Sequence, residues 1–397
     1  MDKKKAVFGI VGLGNISKSQ HLPNLSRAEH IDFKTVCDLS KDLVVQMRKK
    51  YNTRQATTDY AEMLADSEID AVVIGTQPES HVPLTIQAIQ AGKHVYVEKP
   101  LAETADECHE LLKAQKNSGK LVAVGFNRRK APAYEKAKEI LQSHGGPRNI
   151  HYRISDPYVI WQPDPEPGVR VIHEVCHVFD ILRYLTGSEV KSVYCVSSRP
   201  DDETITLQFE SGCVATIMAS GYVEYDMPKE RLEAIVDTGG FFVEDFVELT
   251  TFGLRDFDKC YRFRGHVHPD RETLYQDLFA IEGAEAMIAL RRILNDSYYS
   301  REWEFLKNKT RSAERDRVYH YIHNKSPFVN YMMDKGWLQA LDHFAQCIIN
   351  GTLTELAGPR DGLIVSLITE AVIESRKKGE VVHLDLHAQI GKGFCFG

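Results

Sequence analysis

Three stretches of this chain carry side chains whose types and spacing could do chemistry. The first is V-I-H-E-V-C-H, where His173, Glu174 and His177 stand as H-E-x-x-H. On a helix that spacing puts two imidazoles one turn apart beside a carboxylate, the layout of a zinc peptidase. A catalytic zinc needs a third protein ligand, and V-F-D-I-L-R-Y-L-T-G-S-E-V after His177 supplies neither H-x-x-G-x-x-H nor a downstream Asn-Glu pair. A proton-accepting imidazole on a helix is a second reading, and a pair of histidines satisfied at a packing surface is a third. His173, His177, Asp180 and Tyr184 form one polar stripe, while Val175, Val178, Phe179, Ile181, Leu182 and Leu185 supply the buried remainder of the helix.

The second stretch is Gly12-Leu13-Gly14-Asn15-Ile16-Ser17, between the apolar run A-V-F-G-I-V and a helix-prone segment reaching about Ser26. Gly12 permits a tight turn, and Gly14 lets a pyrophosphate approach the backbone at a helix N-terminus. Ser17 occupies the third glycine place and is small enough for close helix-to-strand contact. Some two dozen residues on, D-F-K-T-V-C-D ends at Asp38. A carboxylate there accepts ribose hydroxyls and repels a 2′-phosphate, so NAD is expected over NADP; the other reading of Asp38 is an N-cap for S-K-D-L-V-V-Q-M. The third stretch is Glu98-Lys99-Pro100, closing the strand-like K-H-V-Y-V-E-K-P. A lysine at the mouth of a crevice can stabilise a developing alkoxide.

These residues need elements to position them. From residue 1 to about 126, short apolar strands alternate with amphipathic helices: the two strands above, then D-A-V-V-I-G-T, K-H-V-Y-V and K-L-V-A-V-G-F with helices between. That alternation predicts a doubly wound parallel sheet, and ligands of such sheets bind beyond the carboxyl ends of the strands. G-T-Q-P-E-S-H, E-K-P and G-F-N-R-R are the polar strand ends that should meet there.

G-L-G-N-I-S, I-G-T-Q-P-E-S-H-V-P-L-T-I-Q-A-I-Q-A-G-K-H-V-Y-V-E-K-P-L-A and V-G-F-N-R-R-K-A-P together resemble the Gfo/Idh/MocA oxidoreductases. The resemblance implies that Lys99 contacts the reacting hydroxyl and the ribose, and that Thr76, Pro78 and His81 lie under the nicotinamide. It implies cofactor contacts for Gly12, Gly14, Asn15, Ile16, Asp38, Glu98 and Lys99. In the family a helix facing the nicotinamide commonly reads D-x-x-x-H; here His177 takes the histidine place and His173 the aspartate place. E-V-C-H is similar to the E-x-C-H of some branches. His177 is then the base that takes the hydroxyl proton, an imidazole being suited to this by its ordinary titration near neutrality. His173 either orients the substrate or, with His177, holds a metal; no metal is otherwise expected.

From Pro147 the pattern changes to strands joined by glycine or charged turns, which predicts a largely antiparallel open sheet in an α+β domain of residues 127–397. The resemblance implies that this domain binds substrate and makes subunit contacts. The charged, helix-prone run of about 255–335 reads as an inserted helical element; His266 with His268 and His320 with His323 are metal pairs or, more simply, solvated histidines. Asn127, Arg128, Trp161, His173 and His177 with Lys99 suit a polyhydroxylated ring such as a sugar or cyclitol. Arg128 could select a carboxylate or phosphate, and Trp161 either stacks on a sugar face or packs a loop.

Length and composition agree with this assignment. At 397 residues, two domains are expected. A net charge of −7 gives no basic surface for nucleic acid, and no apolar run approaches the roughly 18 residues of a membrane span. Eight cysteines with no C-x-x-C pair, and no secretory signal at the start, point to the cytoplasm. A homodimer or homotetramer is expected from the open sheet. The leading expectation is an NAD-dependent dehydrogenase of a secondary hydroxyl. The alternatives are a lyase or glycoside-cleaving enzyme that uses transient oxidation with tightly held NAD, and a catalytically silent NAD-sensing regulator.

Overall fold

The computed structural model describes residues 5–102, 104–116, 118–158, 164–265, 274–295 and 332–390. The chain divides into two compact units, 1–130 with 336–367 and 131–335 with 368–397.

In the first unit the apolar runs become β1 (Ala6–Val11), β2 (Ile31–Cys37), β3 (Gln55–Thr57), β4 (Ala71–Ile74), β5 (His94–Val97) and β6 (Val122–Val124). They pair in parallel in the order β3-β2-β1-β4-β5-β6. Order reverses between β1 and β4, and that reversal opens a crevice at their carboxyl ends. α1 (Leu22–Arg27), α2 (Lys41–Tyr51), α3 (Tyr60–Ala65), α4 (His81–Gln90) and α5 (Ala105–Lys116) are the crossovers. The three-residue β3 was too short to read from periodicity, whereas the other strands match their apolar runs.

The second unit begins with α6 (Pro132–Ser143), followed by β7 (Asn149–Ser155), α7 (Cys176–Thr186), β8 (Val190–Arg199), β9 (Asp202–Phe209) and β10 (Val214–Ser220). Then come β11 (Glu230–Val236), β12 (Gly239–Glu244), β13 (Glu248–Phe252), β14 (Cys260–Arg262), α8 (Leu274–Glu282) and α9 (Ala284–Leu294). The chain closes with α10 (Trp337–Asn350), α11 (Pro359–Lys378), β15 (Val382–His383) and α12 (Leu386–Ile390). Among the described residues nine strands pair in the order β14-β13-β12-β11-β7-β10-β9-β8-β15, antiparallel except for β7 with β10. Burial alternates along β9, with Glu203, Ile205, Leu207 and Phe209 on the covered face, as one packed face requires.

Two stretches fall differently from their sequence reading. Residues 336–367 cluster with the first unit, because Ala340, Leu341, Phe344 and Ala345 of α10 bury against its core and Phe344 meets the rings of Phe8 and Tyr96 edge-on. The segment of about 255–335 opens with β14, a strand paired to β13, before its helices. α9 is held down by Arg291, 1% exposed, whose guanidinium lies 2.5 Å from the Asp245 carboxylate in the β12–β13 turn. The four histidines of that segment and Trp161 lie outside the described residues.

The covered face of β9 also carries an acid under stress. Burial, then the charge of Asp201, push the Glu203 carboxyl up to about 7, against the pull of Arg376 at 3.2 Å and of Arg170. The folded state therefore holds a proton that the unfolded chain releases, and this group's contribution to stability falls as pH rises from its ordinary 4.5 through about 7. Thermal melts of Glu203→Gln should lose less stability than wild type between about pH 5 and about pH 8, the difference being on the order of 1–3 kcal/mol. Parallel pH profiles for the two proteins would refute the assignment.

Candidate functional site

Beyond β1 the chain turns at Gly12, whose φ of +86° is open to glycine and whose absent Cβ would lie 2.7 Å from the Gly75 backbone. Gly14 is exposed, and a Cβ there would meet nothing within 4 Å, so the bare backbone of this turn faces open space. Asn15 is likewise exposed and Ile16 half-buried. Ser17, in the third glycine's place, is buried; its hydroxyl donates to Gly12 O at 2.6 Å. A Cβ on Gly75 would lie 2.3 Å from Ser17 Oγ, so Gly75 at the end of β4 makes the room that Ser17 takes. Ser17–His21 is a π-helical turn leading into α1, an irregularity that recurs at functional sites.

Asp38 follows β2. Its Oδ2 accepts the Leu13 N–H at 2.8 Å and its Oδ1 the Ser40 N–H at 2.9 Å. The N-cap of α2 is Ser40, whose hydroxyl accepts from Leu43 N. Asp38 is half-buried and is thus a brace for the glycine turn, with lone pairs left on both oxygens for ribose hydroxyls. Bare glycine backbone, a helix start and an acceptor-only carboxylate are the groups a dinucleotide needs, and these residues fit NAD.

Thr76 and Pro78 sit half-buried after β4, and the Ser80 hydroxyl donates to Thr76 Oγ1 at 2.7 Å. His81, expected under the nicotinamide, has both ring nitrogens facing backbone carbonyls. It is 1% exposed, with Nδ1 2.7 Å from Pro100 O and Nε2 3.1 Å from Thr76 O. Its ring ties the ends of β4 and β5 together. Glu98 is likewise buried, at 5% exposure: Oε1 lies 2.7 Å from His21 Nε2 and Oε2 accepts the Lys99 N–H at 3.1 Å. Burial pushes the Glu98 carboxyl up, but the His21 hydrogen bond and the charges of His21 and Lys99 outweigh it and hold it below the usual range. Lys99 is half-buried and precedes a cis bond to Pro100. Asn127 and Arg128 lie in a 3-10 turn after β6, 1% and 3% exposed.

In the second unit the helix with His173 and His177 starts as a π-helical turn, Val171–Val175, and becomes regular at Cys176. His173 is half-buried and His177 is 5% exposed. Glu174 points inward, 2.7 Å from Lys229 Nζ, which also lies 2.5 Å from Asp156. Burial disfavours the Lys229 cation, yet the charges of Asp156, Glu174 and Glu230 outweigh it and raise its pKa. Arg170, fully buried just before the turn, contacts Asp156 at 2.5 Å and Asp201 at 3.0 Å. Gly221 admits this cluster, since a Cβ there would lie 1.9 Å from Asp201 Oδ2. With Glu174 spent on Lys229, H-E-x-x-H lacks its general base and the peptidase reading loses its chemistry. Among the described residues no group of three or more His, Cys, Asp or Glu could hold a metal ion, and no helix is long and apolar enough to cross a membrane.

Sequence reasoning missed His21, Lys229, Asp156 and Arg170. No spacing marks them, since their partners are brought near only by the fold: Glu98 lies 77 residues from His21, Glu174 lies 55 from Lys229, and Asp156 and Arg170 are 14 apart. Asp38 braces the glycine turn and is expected at the ribose, so Asp38→Ala should weaken NAD binding about tenfold and narrow the preference over NADP. Fluorescence titration with both reduced cofactors measures this; unchanged affinity for each would contradict the role.

Residues 7–126 match the model of the Gfo/Idh/MocA oxidoreductase family with its NAD-binding Rossmann fold, and residues 134–242 match that family's C-terminal domain. An uncharacterized oxidoreductase, YrbE, of Bacillus subtilis is 31% identical over 285 residues, covering 66% of this chain and 80% of that protein. The myo-inositol 2-dehydrogenase of Thermotoga maritima is 28% identical over 261 residues, covering 61% of this chain and 76% of that one. In fold, the chain is similar to scyllo-inositol dehydrogenase from Lactobacillus casei crystallised with NAD(H) and scyllo-inositol, with a TM-score of 0.68 at 18% identity over 96% of this chain and 99% of that one. With its glycine turn, Asp38 brace and nine-stranded second sheet, the chain belongs to the Gfo/Idh/MocA family and is an NAD-dependent oxidoreductase.

Proposed function

We propose that this protein is a dehydrogenase that oxidises a secondary hydroxyl of a cyclitol or sugar ring. The observation that carries the reading is the cradle of the first unit, where Asp38 holds the Leu13 amide of the glycine turn while Lys99 stands at the end of β5. The naming of relatives as myo-inositol 2-dehydrogenase and, in Bacillus subtilis, as scyllo-inositol 2-dehydrogenase (NAD(+)) supports the substrate class.

Bound NAD would supply the hydride acceptor for the carbon bearing the hydroxyl. The Lys99 ammonium stabilises the alkoxide oxygen as the O–H proton leaves. His177 takes that proton, so the C–H electron pair and the proton depart separately and a carbonyl remains. His173 orients the neighbouring ring hydroxyls, with Asn127, Arg128 and Trp161 as further substrate contacts. Gly12, Gly14, Asn15 and Ile16 receive the pyrophosphate, Asp38 the ribose, and Thr76, Pro78 and Glu98 shape the nicotinamide end. The protein works in the cytoplasm as a homodimer or homotetramer.

A second reading keeps the cofactor bound through transient oxidation and cleavage of the substrate. It is favoured by His173, which stands where aspartate is common in the family, and it predicts product without net NADH. The test is a panel of inositols and sugars followed by reduced-nicotinamide absorbance and, in parallel, by product analysis. Lys99→Ala and His177→Ala should each lower kcat by about 100-fold or more, and His177→Ala should leave NAD affinity within about threefold of wild type. Full activity in either variant, or failure of the wild type to bind NAD, would sink the reading.

A further inference from the structure

Glu98, Lys99 and Pro100 are consecutive, and both neighbours of Lys99 are gripped by a histidine. On one side Glu98 accepts the Lys99 N–H while its other oxygen meets His21 at 2.7 Å, from the end of the π-helical turn. On the other side Pro100 O meets His81 at 2.7 Å, and the far nitrogen of that ring reaches Thr76 O at 3.1 Å. Both rings are buried, 0% and 1% exposed, and lie in the same unit as Lys99.

We propose that His81 and His21 are positioning residues for Lys99, holding its backbone from both sides so that the ammonium is presented in a single direction. The proposal rests on the alkoxide-stabilising role given to Lys99 above. The physical reason for two grips is the length of the side chain: four methylenes amplify a small backbone rotation into a large displacement of the ammonium. A misplacement of about 1 Å at a reacting group can cost on the order of 100-fold in rate. Packing supports the first grip, since a Cβ on Gly125 would lie 3.0 Å from Glu98 Oε1 and 3.2 Å from Glu98 Cα, so glycine there leaves the carboxylate its place. The second grip couples Lys99 to the Thr76–Pro78 loop, so that movement of either strand end is felt at the other.

The experiment uses the full chain with His81→Phe, which keeps a ring of similar size without its nitrogens, and His81→Gln, which keeps one amide donor group. Amide exchange followed by mass spectrometry should show the peptide of residues 97–102 exchanging about tenfold faster in His81→Phe, with β1 and α2 unchanged. Its kcat should fall about 10- to 100-fold with the KM for NAD nearly constant, and the primary deuterium isotope effect on kcat should rise as hydride transfer becomes limiting. His81→Gln should recover part of both. Unchanged exchange at 97–102, or faster exchange spread evenly over the unit in both variants, would overturn the proposal. So would a raised KM for NAD with kcat kept, which would make His81 a cofactor contact. If the wild type binds NADH but oxidises no polyol, the dehydrogenase reading fails on its own, and the exchange measurement still decides this one.

Discussion

Two oxygen atoms of one buried carboxylate set the geometry of the first unit's strand ends. Glu98 is nearly sealed from water, so each oxygen needs a donor inside the protein, and it finds the His21 ring and the Lys99 amide. Those two bonds couple the irregular turn after β1 to the end of β5. The other edge of the same region is tied by the His81 ring, between the ends of β4 and β5. A parallel sheet gathers its strand ends on one side by topology alone, but polar bonds of this kind give those ends a fixed conformation.

The same device appears three times. Asp38 binds the Leu13 amide of the glycine turn, Glu98 binds the Lys99 amide, and Glu174 binds Lys229 beneath the turn that carries His173. In each case a carboxylate lies beside a residue with a proposed role and spends itself on the scaffold. Buried ion pairs add little net stability, because desolvation offsets their attraction, but losing one partner of such a pair is costly. Arg170 with Asp156 and Asp201, and Lys229 with Asp156 and Glu174, therefore constrain conformation more than they stabilise it. The segment they flank, Val171–Val175, opens its helix with π-helical geometry, where regular helix bonding alone would leave the backbone underdetermined.

The H-E-x-x-H pattern shows how the same letters can serve different chemistry. In a regular helix, and with a third ligand that this sequence lacks, His173, Glu174 and His177 would be a metal site with its base. Here the turn at Val171–Val175 is π-helical and Glu174 is turned into the unit toward Lys229, which leaves the two imidazoles without that carboxylate. The segment of about 255–335 is similar in this respect. Its charge and helix propensity suggested an inserted helical element, and the segment also brings β14, which extends the sheet, and Arg291 of α9, which is buried against Asp245.

Much of this protein was legible in the order of its residues. Apolar runs of four to seven residues alternating with amphipathic stretches determined the parallel sheet, because a strand covered on both faces tolerates little else. Gly12, Gly14 and Asp38 could be named because they follow strands in sequence, so local spacing carries their placement, whereas Lys99 was named through the family resemblance of its E-K-P segment. Tertiary structure alone decided that His81 faces two carbonyl groups, that Glu98 pairs with His21, and that Glu174 pairs with Lys229. It also decided that α10 packs on the first unit, and that Asn127 and Arg128 are buried. The physical reason is one of range: periodicity and turn chemistry act over a few residues, whereas a buried polar group is satisfied by whatever donor the completed fold brings to it, 77 residues away in the case of Glu98 and His21.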